Sequence, residues 1–195
     1  MERETSGLRS EVANRSEEAS DESLVARVAD GDRAAYAKLV LRHTDRFLAL
    51  AERLLGERSE AEDVLQDAFS RLWTRADRFD PETARFTTWF YRVVANACTD
   101  RLRRRGRSQS LPENWDGIDT DPPADETLAR RQHAGQVRRA LDCLPERQKV
   151  AVTLCYFEGL TNVEAADVLS ISVKALESLL VRARRGLKAE LGEGF

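Results

Sequence analysis

The chain has 195 residues, enough for one large domain or two small ones, and no apolar run approaches the roughly 20 residues needed to cross a bilayer. Hydrophobic residues make up 42% and charged residues 33%, so cores can be buried under helices solvated on one side, with only five prolines and ten glycines to interrupt them. Net charge is -3, and Met1 to Ser20 is polar and acidic rather than signal-like, which argues against secretion and direct membrane insertion and for a cytoplasmic protein.

Residues 1–22 have low hydrophobicity and no periodicity, and are expected to form a disordered acidic tail. From Leu24, apolar residues recur at helical spacing through Tyr36, Leu39, Val40, Phe47, Leu50 and Leu54, with Gly31-Asp32 and Gly56 as breaks. That pattern predicts two helices. A third is expected to open at Ser59, where Ser59 and Glu62 have capping-box spacing, and to carry Val64, Leu65, Ala68, Phe69, Leu72 and Trp73 inward. Asp80-Pro81 is expected to start a fourth, because proline suits a first helical turn.

Arg85 to Arg107 reads RFTTWFYRVVANACTDRLRRRGR. Phe86, Phe90, Val93, Val94 and Ala97 face one way on a helix, while Arg85, Arg92, Asn96, Thr99 and Arg103 fall in a narrow sector on the other. Trp89 lies at the boundary. An aromatic ring there can stack on an unpaired base while arginines neutralise phosphates, or it can simply close the edge of a core. The run Arg101 to Arg107 is open to the same choice, since cations also favour a helix C-terminus.

Residues 108–126 contain Pro112, Pro122 and Pro123, six acids, no base and no apolar period, and are expected to form a flexible acidic linker. Helical patterning resumes near Thr127 through Val137, Ala140, Leu141 and Leu144; Pro145 then opens a helix through Val150, Val152, Leu154 and Phe157 to the terminator Gly159. Thr161 and Glu164 form a second capping box, Val163, Ala166 and Leu169 a stripe, Ser170-Ile171-Ser172 a turn, and Leu176, Leu180, Ala183 and Leu187 the next stripe. This is helix-turn-helix spacing. Lys174, Ser178 and Arg185 fall opposite the buried stripe with Arg182 beside them, a face suited to a major groove or to plain solvent. With no alternating strand pattern, the expected fold is all-α, two small helical domains at 23–107 and 127–195 joined by the linker.

Charge follows the same division. Residues 82–107 hold seven bases and two acids, residues 108–127 six acids and no base, and residues 128–195 eleven bases and eight acids. Two basic segments separated by an acidic one are the footprint of two nucleic-acid contacts on one chain. Cys98, Cys143 and Cys155 have no CxxC spacing and sit among apolar residues, so core packing is expected rather than a disulfide framework, zinc site or redox switch. His43 and His133 are isolated and are read as surface or packing residues. No Gly-rich phosphate loop, nucleophile motif or metal-ligand spacing is present, which argues against an enzyme and against a cofactor.

Three segments in this order, AEDVLQDAFSRLW (Ala61 to Trp73), RFTTWFYRVVANACTDRLRRR (Arg85 to Arg105) and LPERQKVAVTLCYFEGLTNVEAADVLSISVKALESLLVRARRGLK (Leu144 to Lys188), resemble the extracytoplasmic-function group of the bacterial sigma-70 family. The resemblance implies region 2 in the first module and region 4 in the last, without the region 3 and extended amino-terminal region of housekeeping sigma factors. It implies that Asp63, Gln66, Asp67, Phe69 and Trp73 serve docking on the clamp of the largest core RNA polymerase subunit. Of these, Phe69 and Trp73 read as core and the other three as exposed contacts. Arg85, Trp89, Arg92, Asn96, Thr99 and Arg103 would face the minus-ten element, with Asn96 helping to hold a flipped base. Thr161, Lys174, Ser178, Arg182 and Arg185 would serve the minus-thirty-five element, while region 4 also rests on the polymerase flap. Leu179 stands where many relatives carry a basic residue, so their promoter sequences do not transfer. An anti-sigma factor is expected as a further partner. The main competing reading is a dimeric regulator that binds duplex operators through Leu160 to Lys188, with the amino-terminal helices as a sensor.

Overall fold

The computed structural model describes residues 19–108 and 128–192, without the side chains of 106–108 and 128–134. The first 18 residues of the expected tail, nearly all of the expected linker and the side chain of His133 lie outside the described residues. Regular structure within them is helical throughout.

The first helix, α1, spans Asp21–Ala29 and so begins inside the segment expected as tail. Ser20 caps it, its hydroxyl accepting from the Ser23 amide at 3.2 Å, and Asp21 and Glu22 favour the positive end of the helix. Long-range contacts complete the anchor. Asp21 accepts from Arg42 at 2.5 Å and pairs with His43 at 2.9 Å, and Glu22 accepts from the Phe86 amide at 3.1 Å. His43 is accordingly a packing residue, buried beneath α1.

Helix α2, Arg33–Leu55, starts where the Asp32 carboxylate accepts from the Ala34 and Ala35 amides, and ends at Gly56, whose φ of 80° is the left-handed conformation glycine tolerates best. Helix α3, Arg58–Arg75, departs from the capping box expected at Ser59. Glu57 is its N-cap without a side-chain capping bond; the Ser59 hydroxyl donates to Glu57 at 2.6 Å, and Glu62 is engaged by Arg58 at 2.9 Å instead of reaching back to an amide.

After a 3-10 turn at Ala76–Arg78, Asp80 forms a turn rather than a helix start, its carboxylate accepting from the Glu82 amide at 2.9 Å and its carbonyl from the Thr83 amide at 3.2 Å. Helix α4 is Phe86–Ser108, five residues later than proline suggested. Its start is set by Glu22, a residue 64 positions away that no local pattern identifies.

Four more helices follow: α5 Leu128–Asp142, α6 Glu146–Val152, α7 Asn162–Leu169 and α8 Val173–Leu191. Between α6 and α7 the expected continuous helix gives way to a π turn at Thr153–Phe157, with the Glu158 amide donating to Thr153 at 3.0 Å. The extra residue in that turn rotates the following side chains outward. Phe157, expected inside, is 42% exposed. Glycine serves a close approach at Gly186, where an added Cβ would lie 2.9 Å from Leu144.

Helices α1 to α4 pack around Leu24, Leu39, Phe47, Leu50, Leu72, Phe86 and Phe90, all fully buried. Val150, Ala151, Leu154, Ala165, Ala166, Val168 and Leu176 of the second module belong to the same apolar cluster, because α4 packs on α7. Leu141, Leu144, Val152 and Ala183 form a separate cluster within the second module. The cysteines part company: Cys98 is buried, with burial pushing its thiol up to about 12, Cys155 is half-buried, and Cys143 is exposed, against its expected core position.

Candidate nucleic-acid and polymerase interface

Helix α4 is fixed from its apolar side. Phe86, Phe90, Val94 and Cys98 are fully buried, and the Phe90 ring sits 4.7 Å from Phe47, 5.0 Å from Phe69 and 5.4 Å from Phe86. Such a seat leaves the opposite face little freedom to rotate. On that face Arg85 and Asn96 are exposed, Arg103 is exposed, and Trp89, Arg92 and Thr99 are half-buried. The Trp89 ring lies 5.9 Å from Phe79 and 6.1 Å from Phe86, so it closes the edge of the core while keeping part of its surface open. The Thr99 hydroxyl donates to the Ala95 carbonyl at 2.8 Å. Arg92 and Arg103 reach across to the second module, Arg92 donating to the Asp167 carbonyl at 2.5 Å and Arg103 lying 3.6 Å from Glu146.

On α3, Asp63, Gln66 and Asp67 form an exposed polar strip. Asp63 accepts from Arg101 at 3.3 Å. Phe69 is buried in the aromatic core, and Trp73, 37% exposed, packs edge-on to Tyr36 with ring centroids 5.3 Å apart. The five residues therefore separate into an exposed strip, an interior support and a tryptophan at the surface.

The helix-turn-helix has the expected capping box: Thr161 accepts from the Glu164 amide at 3.3 Å while Glu164 accepts from the Thr161 amide at 2.9 Å. The Thr161 amide, and with it the Thr161 hydroxyl at 2.8 Å, donates to the Glu164 carboxylate and holds that carboxyl below its ordinary range. Ser170 takes the left-handed turn conformation at φ 53°, and Ser172 caps α8 through the Ala175 amide. Lys174, Ser178, Arg182 and Arg185 are exposed along α8, while Leu176 and Ala183 are buried beneath. The inward stripe of α7 differs from expectation, for Val163 is 60% exposed and Ala165, Ala166 and Val168 do the packing.

Glu158 is a residue that sequence reasoning missed. Its carboxylate meets Arg53, Arg46 and Tyr91 of the first module. Its position after an apolar run and before a glycine marks only a helix end. Burial and the Glu158 carboxylate push the Tyr91 hydroxyl up, keeping it a donor.

Comparison with known proteins bears on both modules. The family model described as sigma-70 region 2 matches residues 39–108, and that described as sigma-70, region 4 matches residues 134–187. The RNA polymerase sigma factor CnrH of Cupriavidus metallidurans is 35% identical over 184 residues, covering 89% of this chain and 95% of that one. The chain belongs to the extracytoplasmic-function sigma factors of the sigma-70 family. The ECF RNA polymerase sigma factor SigE of Mycolicibacterium smegmatis is also 35% identical, over 85% of this chain; the alignment spans 66% of that relative's length. The solved structure of CnrH in complex with the cytosolic domain of CnrY superposes with a TM-score of 0.63 at 33% identity, covering 88% of this chain and 96% of that one. As a sigma factor, this protein works with core RNA polymerase on promoter DNA, and it carries the two regions that divide that work. No helix among the described residues is long and apolar enough to cross a membrane.

Proposed function

We propose that the chain is a cytoplasmic, non-enzymatic alternative sigma factor in which residues 23–107 bind core polymerase and the minus-ten element and residues 127–195 read the minus-thirty-five element. The observation that carries this reading is the pairing, on one chain with both regions, of a rigidly seated α4 presenting Arg85 and Asn96 and an α8 presenting Lys174, Ser178, Arg182 and Arg185. Polymerase holds the two modules at a fixed separation, so two weak DNA contacts act together at high effective concentration. Asp63, Gln66 and Asp67 supply the clamp contact, with Trp73 at its edge and Phe69 supporting α3 from inside.

Melting follows from differential contact. Asn96 hydrogen-bonds a base extruded from the duplex, Trp89 offers a ring face for stacking, and Arg85, Arg92, Thr99 and Arg103 hold the backbone of the opened strand. These interactions are unavailable in closed duplex, so they offset an unstacking cost of a few kcal/mol. The α8 cations meet phosphates and guanine edges in the major groove, and Thr161, at the head of α7, is suited to a phosphate. Control by an anti-sigma factor completes the proposal; it is supported by CnrH, which was solved in complex with the cytosolic domain of CnrY.

The residue assignment is tested with Asn96→Ala and Arg92→Ala in holoenzyme. Promoter opening, read by permanganate reactivity of unpaired thymines, should fall by about tenfold or more, the scale of a 1–3 kcal/mol base contact, while affinity for core polymerase is unchanged. Parallel loss of opening and core binding would count against assigning this face to DNA.

A further inference from the structure

Helix α8 carries Lys174, Arg182, Arg184, Arg185 and Lys188 and, before its last turn, a single acid, Glu177, exposed in the second turn. Its neighbours along the helix do not neutralise it. Four residues away on either side stand Val173 and Val181, 37% and 50% exposed, and three residues on is half-buried Leu180. A cation four residues after a glutamate stabilises a helix, and in this very basic helix that position holds valine. Ser178, beside Glu177, has its hydroxyl proton committed to the Lys174 carbonyl at 2.9 Å and adds no donor. Among the described residues, Glu177 makes no hydrogen bond or ion pair.

The placement matters because this is the early part of a helix whose other side, through Leu176 and Ala183, is buried. The early turns of such a helix are the ones that meet base edges in a major groove. A carboxylate there repels phosphates whatever the sequence, so its favourable use is a base edge. It accepts hydrogen bonds and donates none. In the major groove guanine presents two acceptors, adenine an acceptor beside its amine, and thymine an acceptor beside its methyl group. Cytosine alone presents a donor, its N4 amine, with no acceptor next to it. Val181, about 40° round the helix from Glu177, covers one side of such a bond with apolar surface and keeps water from competing for it.

We infer that Glu177 is a specificity-determining residue of α8, which selects cytosine at one position of the upstream promoter element by accepting from the N4 amine in the major groove. The inference rests on the minus-thirty-five reading of α8 above and names the base that this chain prefers there. Lys174, Arg182 and Arg185 supply attraction, and Glu177 supplies discrimination, because a wrong base sets an acceptor against the carboxylate.

The test uses the full chain in holoenzyme, as wild type, Glu177→Ala and Glu177→Gln. Each selects sites from a promoter library randomised across the upstream element, and affinities for the selected site and its single-base variants are measured by fluorescence anisotropy. Both replacements are good helix formers at an exposed position, so the fold is kept. The wild type should bind its selected site roughly 5- to 150-fold more tightly than variants lacking one particular cytosine, the range of a base contact. Glu177→Ala should flatten the preference at that position alone, and Glu177→Gln should admit adenine there, whose N6 and N7 match a side-chain amide. A wild-type site with no required cytosine, or a cytosine preference that both variants keep, overturns the inference. So does tighter binding of Glu177→Ala to every sequence alike, which would make the carboxylate a plain repeller of phosphate. A wild type that selects no upstream sequence at all removes the minus-thirty-five reading itself, whereas a selected sequence indifferent to Glu177 removes the inference alone.

Discussion

Truncating Phe90 to alanine tests whether the aromatic core under α4 positions the DNA face. Phe90 is fully buried, with ring centroids of Phe47, Phe69, Phe86 and Trp89 at 4.7, 5.0, 5.4 and 6.1 Å. A buried phenylalanine replaced by alanine costs about 3–5 kcal/mol, and four ring neighbours place this site near the top of that range, at ~4–5 kcal/mol. Both modules share one apolar cluster, so the unfolding unit is the larger one, in which each kcal/mol lowers Tm by about 2–4 °C. The expected drop is roughly 8–20 °C by circular dichroism, against about 1.5 kcal/mol or less for Phe90→Leu, which keeps most of the volume. Urea titration gives the free energy independently. A loss below about 2 kcal/mol for Phe90→Ala would mean that the ring cluster is not what holds α4 in place.

Thr161→Ala removes the hydroxyl half of the capping box and should cost ~1 kcal/mol, read as a lower urea midpoint with an unchanged slope. The Glu164 and Asp32 carboxyls are both held below their ordinary values of 4.5 and 3.8 by amides they cap, in each case chiefly by a backbone hydrogen bond. Folded values below unfolded ones mean a contribution complete above the ordinary values and lost as pH falls through the lowered ones. The double variant Asp32→Asn, Glu164→Gln should therefore show a flatter loss of stability below pH 4.5 than the wild type in acid titrations. Gly56→Ala meets no neighbouring atom but forces a left-handed alanine, and should lower stability by about 1–2 kcal/mol in the same denaturant assay. Alkylation followed by peptide mass spectrometry should label exposed Cys143 first and buried Cys98 only on unfolding.

Apolar periodicity carried much of the fold because helix faces repeat locally: Phe86, Phe90 and Val94 align on α4, and Leu176 and Ala183 on α8. Local chemistry likewise marked the Thr161–Glu164 box, where both halves lie within one turn. The misses share a different cause. Ser59 lost its capping role because Glu57 and Arg58 engaged the two side chains, and α4 starts at Phe86 because Glu22 arrives from the other end of the module. The π turn, the outward Val163 and the Glu158 grip all depend on how the second module packs against the first. Spacing along one segment holds no record of such partners, so the exposed faces were legible and the contact that covers part of one was not.

Run-off transcription with purified core polymerase bears most directly on the claim that two DNA contacts act together while held on one enzyme. Core alone serves as the blank, and templates carry a promoter selected by the holoenzyme from genomic DNA, either unaltered or with half a helical turn, about five base pairs, inserted between its two elements. The protein should give defined transcripts from the unaltered template and lose most of them on the inserted one, because the second contact turns to the opposite face of the duplex. No transcript from any template, or equal transcription from both, would contradict a paired grip at fixed spacing.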